Sequence, residues 1–303
     1  MQGFGALRAS CAKVDPVFRL TRCSLPRRSI GSIPKVQIHC RVRCFSLAMA
    51  LMIIPAADLT APAALSRERQ AACLPEARPD RLQGLTPQGD LILGSERSAK
   101  LWGLRLPDEG PHRERALAWL RSWSGQPILL QGNATRDRWE RTAVRIRLAD
   151  DSNPLDFAHG LIESGLAIVD SGSTDTFCHP DLLALEETAR ERSLGVWNDD
   201  RYKPIDAEQT DRLRSRLGSF VLVEGRVRSV GERAQRTYLN FGEHWAEDFT
   251  IIIPKKTWKL MVDRGLGAAA FKGRRIRARG ILEPWQGAAL TIEVPEMIER
   301  LPR

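Results

Sequence analysis

Short apolar runs with the two-residue period of β-strands recur along two stretches of this chain, and a helical stretch interrupts each series. In the first series, residues 142–148 alternate apolar and polar side chains, and residues 113–123 show helical spacing. In the second, β-like runs lie between residues 220 and 294, with a helical pattern over 255–262. These patterns predict a chain that is mainly β with helices, an α+β fold.

The order of the elements predicts the architecture of each series. Five strands with one inserted helix are typical of a small Greek-key barrel of the oligonucleotide/oligosaccharide-binding (OB) type. We therefore expect two OB-type five-stranded barrels, over residues 85–198 and 216–301. The polar, proline-containing stretch 199–215 is predicted to be a linker, and residues 64–84 are predicted to be a lead-in.

The basic character of the chain is concentrated in its first 63 residues, which contribute +7 of the formal net charge of +9. Within them, residues 44–54 form an apolar run behind two arginines, and small residues at 61–63 offer a cleavage site. This arrangement is typical of a secretory signal, so we expect an exported protein, periplasmic or extracellular. Pro55 and Asp58 interrupt the run, which is shorter than the ~20 residues of a membrane span. A lasting anchor and a cytoplasmic N-terminal extension are the alternatives.

Export determines how the six cysteines are interpreted. Four of them fall within the first 63 residues, which leaves Cys73 and Cys178. In an oxidising compartment this pair is a disulfide candidate that closes a loop of about 100 residues. The alternative is two unrelated buried thiols. The sequence has none of the Cys and His spacings that are typical of a zinc site.

Three short stretches carry a set of related motifs. Residues 137–141 read Asp-Arg-Trp-Glu-Arg, residues 100–108 read Lys-Leu-Trp-Gly-Leu-Arg-Leu-Pro-Asp, and residues 195–197 read Gly-Val-Trp. They resemble the thermonuclease (staphylococcal-nuclease-like) family, whose cores read D-R-Y-G-R, R-L-x-G-I-D-x-P-E and G-L-W. The resemblance implies a staphylococcal-nuclease-like first barrel. The second barrel is similar to the C-terminal module of secreted members.

The resemblance implies a nuclease, a hydrolase that cleaves a phosphodiester bond of nucleic acid by in-line attack of water. Arg141 and Lys100 take the positions of the two arginines that neutralise charge in the transition state. Asp108 aligns with the glutamate that orients the water. The residues alone leave a plainer alternative, in which Arg141 forms a surface ion pair with Asp137 or Glu140. In the same alternative, Asp108 is a solvated loop residue.

The resemblance also implies a calcium ion held by aspartates. Asp90, within the sequence Gln-Gly-Asp-Leu at 88–91, is the candidate metal ligand, whereas counting back from Lys100 without a gap puts Gly89 at that position. Arg105 stands where a second aspartate is expected. Because calcium takes hard oxygen donors, this exchange predicts that the dependence on calcium is weakened or lost.

The second series has basic and aromatic residues of its own. Those expected to bind nucleic acid are Lys255, Lys256, Lys259, Arg275, Arg277 and Trp258. OB barrels that hold single strands combine a basic groove with aromatic platforms for stacking. The alternative function is therefore a non-catalytic envelope protein that holds nucleic acid, another polyanion or a protein partner through this barrel. A solvated charged face and a core aromatic are the plainer interpretation of the same residues.

We expect the exported protein to contain a disulfide between Cys73 and Cys178. Mass spectrometry of the protein, alkylated and digested without reduction, should find the two cysteine peptides joined, and reduction should separate them. The intact mass should place the new N-terminus near residue 64. Two alkylated peptides before reduction would show that the bridge does not form.

Overall fold

A closed five-stranded barrel forms the first half of the folded chain. The structure, a computed structural model, describes residues 75–95, 98–150, 152, 154–172, 179–244 and 247–302. The first strands are β1 (Arg78–Leu85), β2 (Leu91–Leu93), β3 (Ala99–Leu101), β4 (Leu104–Arg105), β5 (Pro127–Arg136), β6 (Thr142–Leu148) and β7 (Ile168–Val169). All except β4 and β7 belong to the barrel, and those two pair with each other outside it.

The strand pairing closes the barrel in the order β1-β2-β3-β6-β5. β1 is antiparallel to both β2 and β5, whereas β3 runs parallel to β6. A parallel pair needs a crossover connection, and helix α1 (Gly110–Arg121) lies within the connection from β3 to β6. The order is compatible with an OB-type barrel, and the closed barrel expected in the first series is confirmed.

Alternating side chains of the strands fill the barrel. In β6, every second side chain from Thr142 to Leu148 is buried, and those between are partly exposed. The predicted half-exposed strand is therefore confirmed. Helices α2 (Phe157–Glu163) and α3 (Asp181–Glu191) add Phe157 and Leu182 to the same core. Asp156 begins α2 by accepting hydrogen bonds from the backbone N–H groups of the first turn.

The second half of the described chain is an eight-stranded sheet. Its strands are β8 (Ile205–Asp206), β9 (Phe220–Arg226), β10 (Ser229–Glu232), β11 (Arg236–Asn240), β12 (Thr250–Pro254), β13 (Arg275–Pro284), β14 (Ala288–Thr291) and β15 (Ile298–Arg300). The order is β10-β11-β12-β14-β13-β9-β8, with β15 paired to β13. The accompanying helices are α4 (Thr210–Arg214), α5 (Lys255–Asp263) and α6 (Ala268–Phe271).

The described residues therefore form a mixed α+β fold, mainly strands with six helices, as expected. The second sheet has two ends, at β10 and β8, so a closed barrel is shown only for the first half of the described chain.

Among all the described residues, no helix has the length and apolar character that a membrane crossing needs. Residues 1–74 and Cys178 lie outside the described residues, so the signal segment and the disulfide stay predictions.

Two predicted boundaries are shifted. Residues 64–84 were expected to lead into the barrel, yet 78–84 belong to its strand β1, which was missed because only Leu82 of that strand is fully buried. The predicted linker 199–215 contains β8 and α4, and its Ile205 and Leu213 lie in the core of the second sheet. The linker is therefore packed structure, and the described residues belong to one compact unit.

A buried ionic network joins the second sheet to the first barrel. Arg279 of β13 is fully buried, and its Nη2 lies 2.7 Å from Glu186 Oε2 and 2.5 Å from Glu299 Oε1. Its Nη1 donates to the carbonyl oxygen of Val169 at 2.9 Å, while the Val169 N–H donates to Glu186 Oε1 at 2.7 Å. Burial opposes the charge of Arg279, but the two carboxylates outweigh it and raise the pKa of this guanidinium.

Arg279→Met should destabilise the protein by about 3 kcal/mol or more, because it leaves Glu186 buried without its main counter-charge. Arg275→Met is the matched control: Arg275 lies on the same strand, is half exposed, and should cost within about 0.5 kcal/mol. Urea denaturation measures both changes in the free energy of unfolding. Equal, small losses in the two variants would show that the network contributes little to stability.

Candidate functional site: a cleft on the first barrel

One cleft of about 460 Å³ brings together the residues that the motifs singled out in the first barrel. Lys100, Asp108 and Arg141 all line it, and so do Asp90 and Arg105. Four of them lie within residues 90–108, whereas Arg141 follows helix α1 and strand β5 along the chain, so its approach to the other four is a result of the barrel topology. The convergence was not deducible from residue spacing.

Neighbouring strands place the two basic residues of the motifs. β3 pairs with β6 so that Lys100 lies opposite Ala143, two residues beyond Arg141. Asp137 begins the turn between β5 and β6, and its carboxylate accepts hydrogen bonds from the backbone N–H of Trp139 at 3.0 Å and of Arg141 at 3.1 Å. The turn therefore holds Arg141 at the start of β6, beside Lys100.

The guanidinium of Arg141 has carboxylate partners on two sides. Its Nε and Nη2 donate to Asp137 Oδ2 at 3.0 and 2.9 Å, and its Nη1 donates to Asp90 Oδ1 at 3.1 Å. Lys100 Nζ lies 3.3 Å from the same oxygen of Asp137. The structure thus shows the ion pair between Arg141 and Asp137 that the sequence left as an alternative. Glu140 instead lies 3.7 Å from Arg136.

These contacts fix the charge states of the cluster. Burial alone would raise the pKa of the Asp137 carboxyl, but hydrogen bonds from Arg141, Trp139 and Lys100 outweigh burial and hold this pKa well below its usual range. Burial likewise opposes the charge of Arg141, and its bonds to Asp137 and Asp90 raise its pKa. The Asp137 carboxylate is therefore ionised and the Arg141 guanidinium charged at neutral pH, and the two form an ion pair in the cleft.

Arg105 and Asp108 lie on another side of the cleft. Arg105 Nε and Nη2 lie 3.3 and 3.2 Å from Asp170 Oδ2, and its guanidinium lies 4.9 Å from the ring centre of Phe220. Asp108 is 3.9 Å from Arg105 Nη1, and its side chain is 76% exposed. Asp108 is thus within the cleft, at the solvent-facing rim.

The donor set does not fit a calcium ion. Calcium takes six to eight oxygen ligands, and three of the four carboxylates of the cleft, those of Asp90, Asp137 and Asp170, are bonded to Arg141 or Arg105. Arg105 adds a positive charge to the same cleft, which opposes binding of a cation. Within the described ranges, no group of three or more His, Cys, Asp or Glu side chains is arranged to hold a metal ion.

Trp139 is an exposed residue beside Arg141 that was not expected to form part of the site. It is 58% exposed, and the guanidinium carbons of Arg138 and Arg141 lie 3.9 and 4.7 Å from its ring centre. An exposed tryptophan beside two arginines presents an aromatic face and positive charge together. The signal was present in the sequence as an aromatic residue between two arginines of one turn.

The structure corrects two of the residues expected to bind nucleic acid in the second half. Trp258 is only 2% exposed, packs in the core of the sheet and donates from Nε1 to Glu232 at 3.0 Å, so no base can stack on it. Arg277 is 5% exposed and bonds Glu187 and Glu224, which removes it from contact with a ligand. The remaining four are on the surface: Lys255, Lys256, Lys259 and Arg275.

Comparison of the chain with protein-family models gives no match, and comparison with curated proteins gives none either. The thermonuclease resemblance therefore rests on the sequence motifs alone.

One backbone feature of the turn gives a test of the motif. Glu140 has φ of 60°, in the left-handed region, at the position where D-R-Y-G-R has glycine. Glu140→Gly should be more stable than Glu140→Ala by about 1 kcal/mol, since only glycine adopts this conformation without steric cost.

Both substitutions remove the same exposed contact with Arg136, so urea denaturation of the pair isolates the backbone contribution. A glycine variant no more stable than the alanine variant would mean that this turn carries no left-handed strain.

Proposed function

We propose that the first barrel is thermonuclease-like and that its cleft binds the phosphodiester backbone of a nucleic acid without calcium. The observation that carries the proposal is the convergence of Lys100, Arg105 and Arg141 in one cleft of the barrel. Guanidinium and ammonium groups are the side chains that bind phosphate oxygens.

The charge of the cleft wall supports an anionic ligand. Five cationic and four acidic residues line it, so it keeps an excess of positive charge. The cationic residues are Lys100, Arg105, Arg113, Arg136 and Arg141, and the acidic ones are Asp90, Asp108, Asp137 and Asp170. The excess is one positive charge, which is the sign that attracts an anionic ligand. Trp139, beside Arg141, adds an exposed aromatic ring of the kind on which bases stack in proteins that bind single strands.

Hydrolysis without calcium is a second candidate function, and the presence of Asp108 in the same cleft favours it. In this reaction Asp108 orients the attacking water, and Lys100 and Arg141 stabilise the charge that develops on the phosphoryl oxygens. Aspartate is one methylene shorter than the glutamate of the motif, and a small displacement of a catalytic group lowers the rate substantially. Binding therefore has the stronger support.

We infer that the second sheet is also an OB-like barrel. β12 runs parallel to β14, and β13 is antiparallel to both β14 and β9, which repeats the pairing of the first barrel. β9 and β10 are separated only by Val227 and Arg228, so the two strands are halves of one bent strand, and this strand would close the barrel. The burial of Trp258 and Arg277 weakens a nucleic-acid site on this sheet.

Binding of a fluorescein-labelled single-stranded DNA to the full chain, in chelator and at low salt, tests the proposal. We expect binding that weakens steeply with salt. Lys100→Gln should lower the affinity several-fold, because it removes a cation of the cleft. Lys259→Gln, the same substitution at an exposed position of helix α5, should leave the affinity unchanged.

The same mixtures, analysed for DNA length on a gel with calcium and with chelator, separate binding from hydrolysis. Cleavage in chelator that Asp108→Asn abolishes would establish the second candidate. Cleavage only with calcium would contradict calcium independence. Equal loss of affinity in Lys259→Gln and Lys100→Gln, or no binding by the wild type, would reject the cleft as the binding site.

A further inference from the structure

Arg105 is a cation of the cleft that keeps one guanidinium nitrogen unbonded by the described residues. Arg141 uses three of its nitrogens on Asp137 and Asp90, and Lys100 shares Asp137. Arg105 is 34% exposed, and only its Nε and Nη2 are bonded, both to one oxygen of Asp170. Among the described residues, its Nη1 meets Asp108 at 3.9 Å, beyond hydrogen-bond distance.

The guanidinium of Arg105 is also held in place before any ligand arrives. Its backbone pairs with Ile168 across β4 and β7, and the N–H of Asp170 donates to the Gly103 carbonyl at 3.0 Å. Asp170 and the ring of Phe220 hold the side chain at its far end. A group that is positioned in advance loses less conformational entropy on binding.

From this geometry we propose that Arg105 performs the charge-neutralising role of a metal ion, by donating directly to the non-bridging oxygens of a bound phosphodiester. The proposal rests on the proposed function of the cleft and specifies how the cleft recognises its anion. Arg105 stands at the position where the motif has an aspartate. In this proposal its guanidinium takes the place of both that aspartate and the calcium ion that the aspartate would hold. A calcium ion would meet this positive charge and would compete with Arg141 for Asp90.

Arg105→Gln tests the proposal in the DNA-binding measurement with chelator. We expect an affinity about tenfold or more below that of the wild type, because a charge-assisted bond is lost. The slope of log affinity against log salt should fall by about 0.7, the value for one phosphate contact with a single strand. Arg121→Gln is the matched control, since it removes the same charge outside the cleft at the end of α1 and should change neither quantity.

Arg105→Lys keeps the charge and a partner for Asp170, and it decides the question if the glutamine variant does not fold. The lysine variant should keep the salt slope and lose several-fold in affinity, because an ammonium lacks the planar fork of guanidinium. Calorimetric titration of the wild type with calcium alone should show no binding.

Distinct outcomes separate this proposal from the function on which it rests. Wild-type affinity in both Arg105 variants, with a loss in Lys100→Gln, would overturn the role of Arg105 and leave the cleft as the binding site. Calcium binding by the wild type that strengthens its DNA affinity would also overturn the proposal. Failure of the wild type to bind DNA would instead overturn the proposed function.

Discussion

The buried contact between Arg279 and Glu186 is the interaction on which the position of the cleft depends. Both side chains bond the backbone of Val169, in strand β7. β7 pairs with β4, which carries Arg105 into the cleft. An ion pair inside the protein, between the second sheet and helix α3, therefore orients a residue at the surface. The second sheet is part of the architecture of the cleft, and Phe220 of that sheet contacts Arg105 directly.

Local patterns were enough to predict the barrel strands whose side chains alternate. Residues 142–148 were predicted as a strand because apolar and polar side chains alternate along them. In the structure one face of this strand packs in the core and the other is partly exposed. β1 was missed because it is mostly polar and obtains its stability from pairing with β2 and β5. Partners distant in sequence supply such pairing, so a local window of residues contains no sign of it. Ile205 was likewise assigned to a linker, because the strand it pairs with lies further along the chain; in the structure it packs in the core of the second sheet.

The motifs predicted individual residues of the cleft, but they did not predict most of the contacts between those residues. Lys100, Asp108 and Arg141 were selected, and the structure brings them together. Their partners were harder to predict, since Arg141 bonds Asp90 from 51 residues away. Arg277 was expected to bind nucleic acid because it belongs to a cluster of basic residues in the second series. Its burial follows from glutamates of α3 and β9 that surround it in the folded chain.

The carboxylates of the cleft are paired with its cations and would compete with any anionic ligand. Under the proposed function, an anion that reaches Arg141 or Lys100 competes with Asp137 and Asp90, whereas Arg105 offers a nitrogen that no described residue bonds. A small monovalent ion gains little from displacing a carboxylate. A chain of regularly spaced phosphates stays attached through neighbouring groups while one is exchanged, and multivalent attachment of this kind raises affinity without new contacts. The same carboxylates would keep the cleft selective for long anions over the salts of its surroundings.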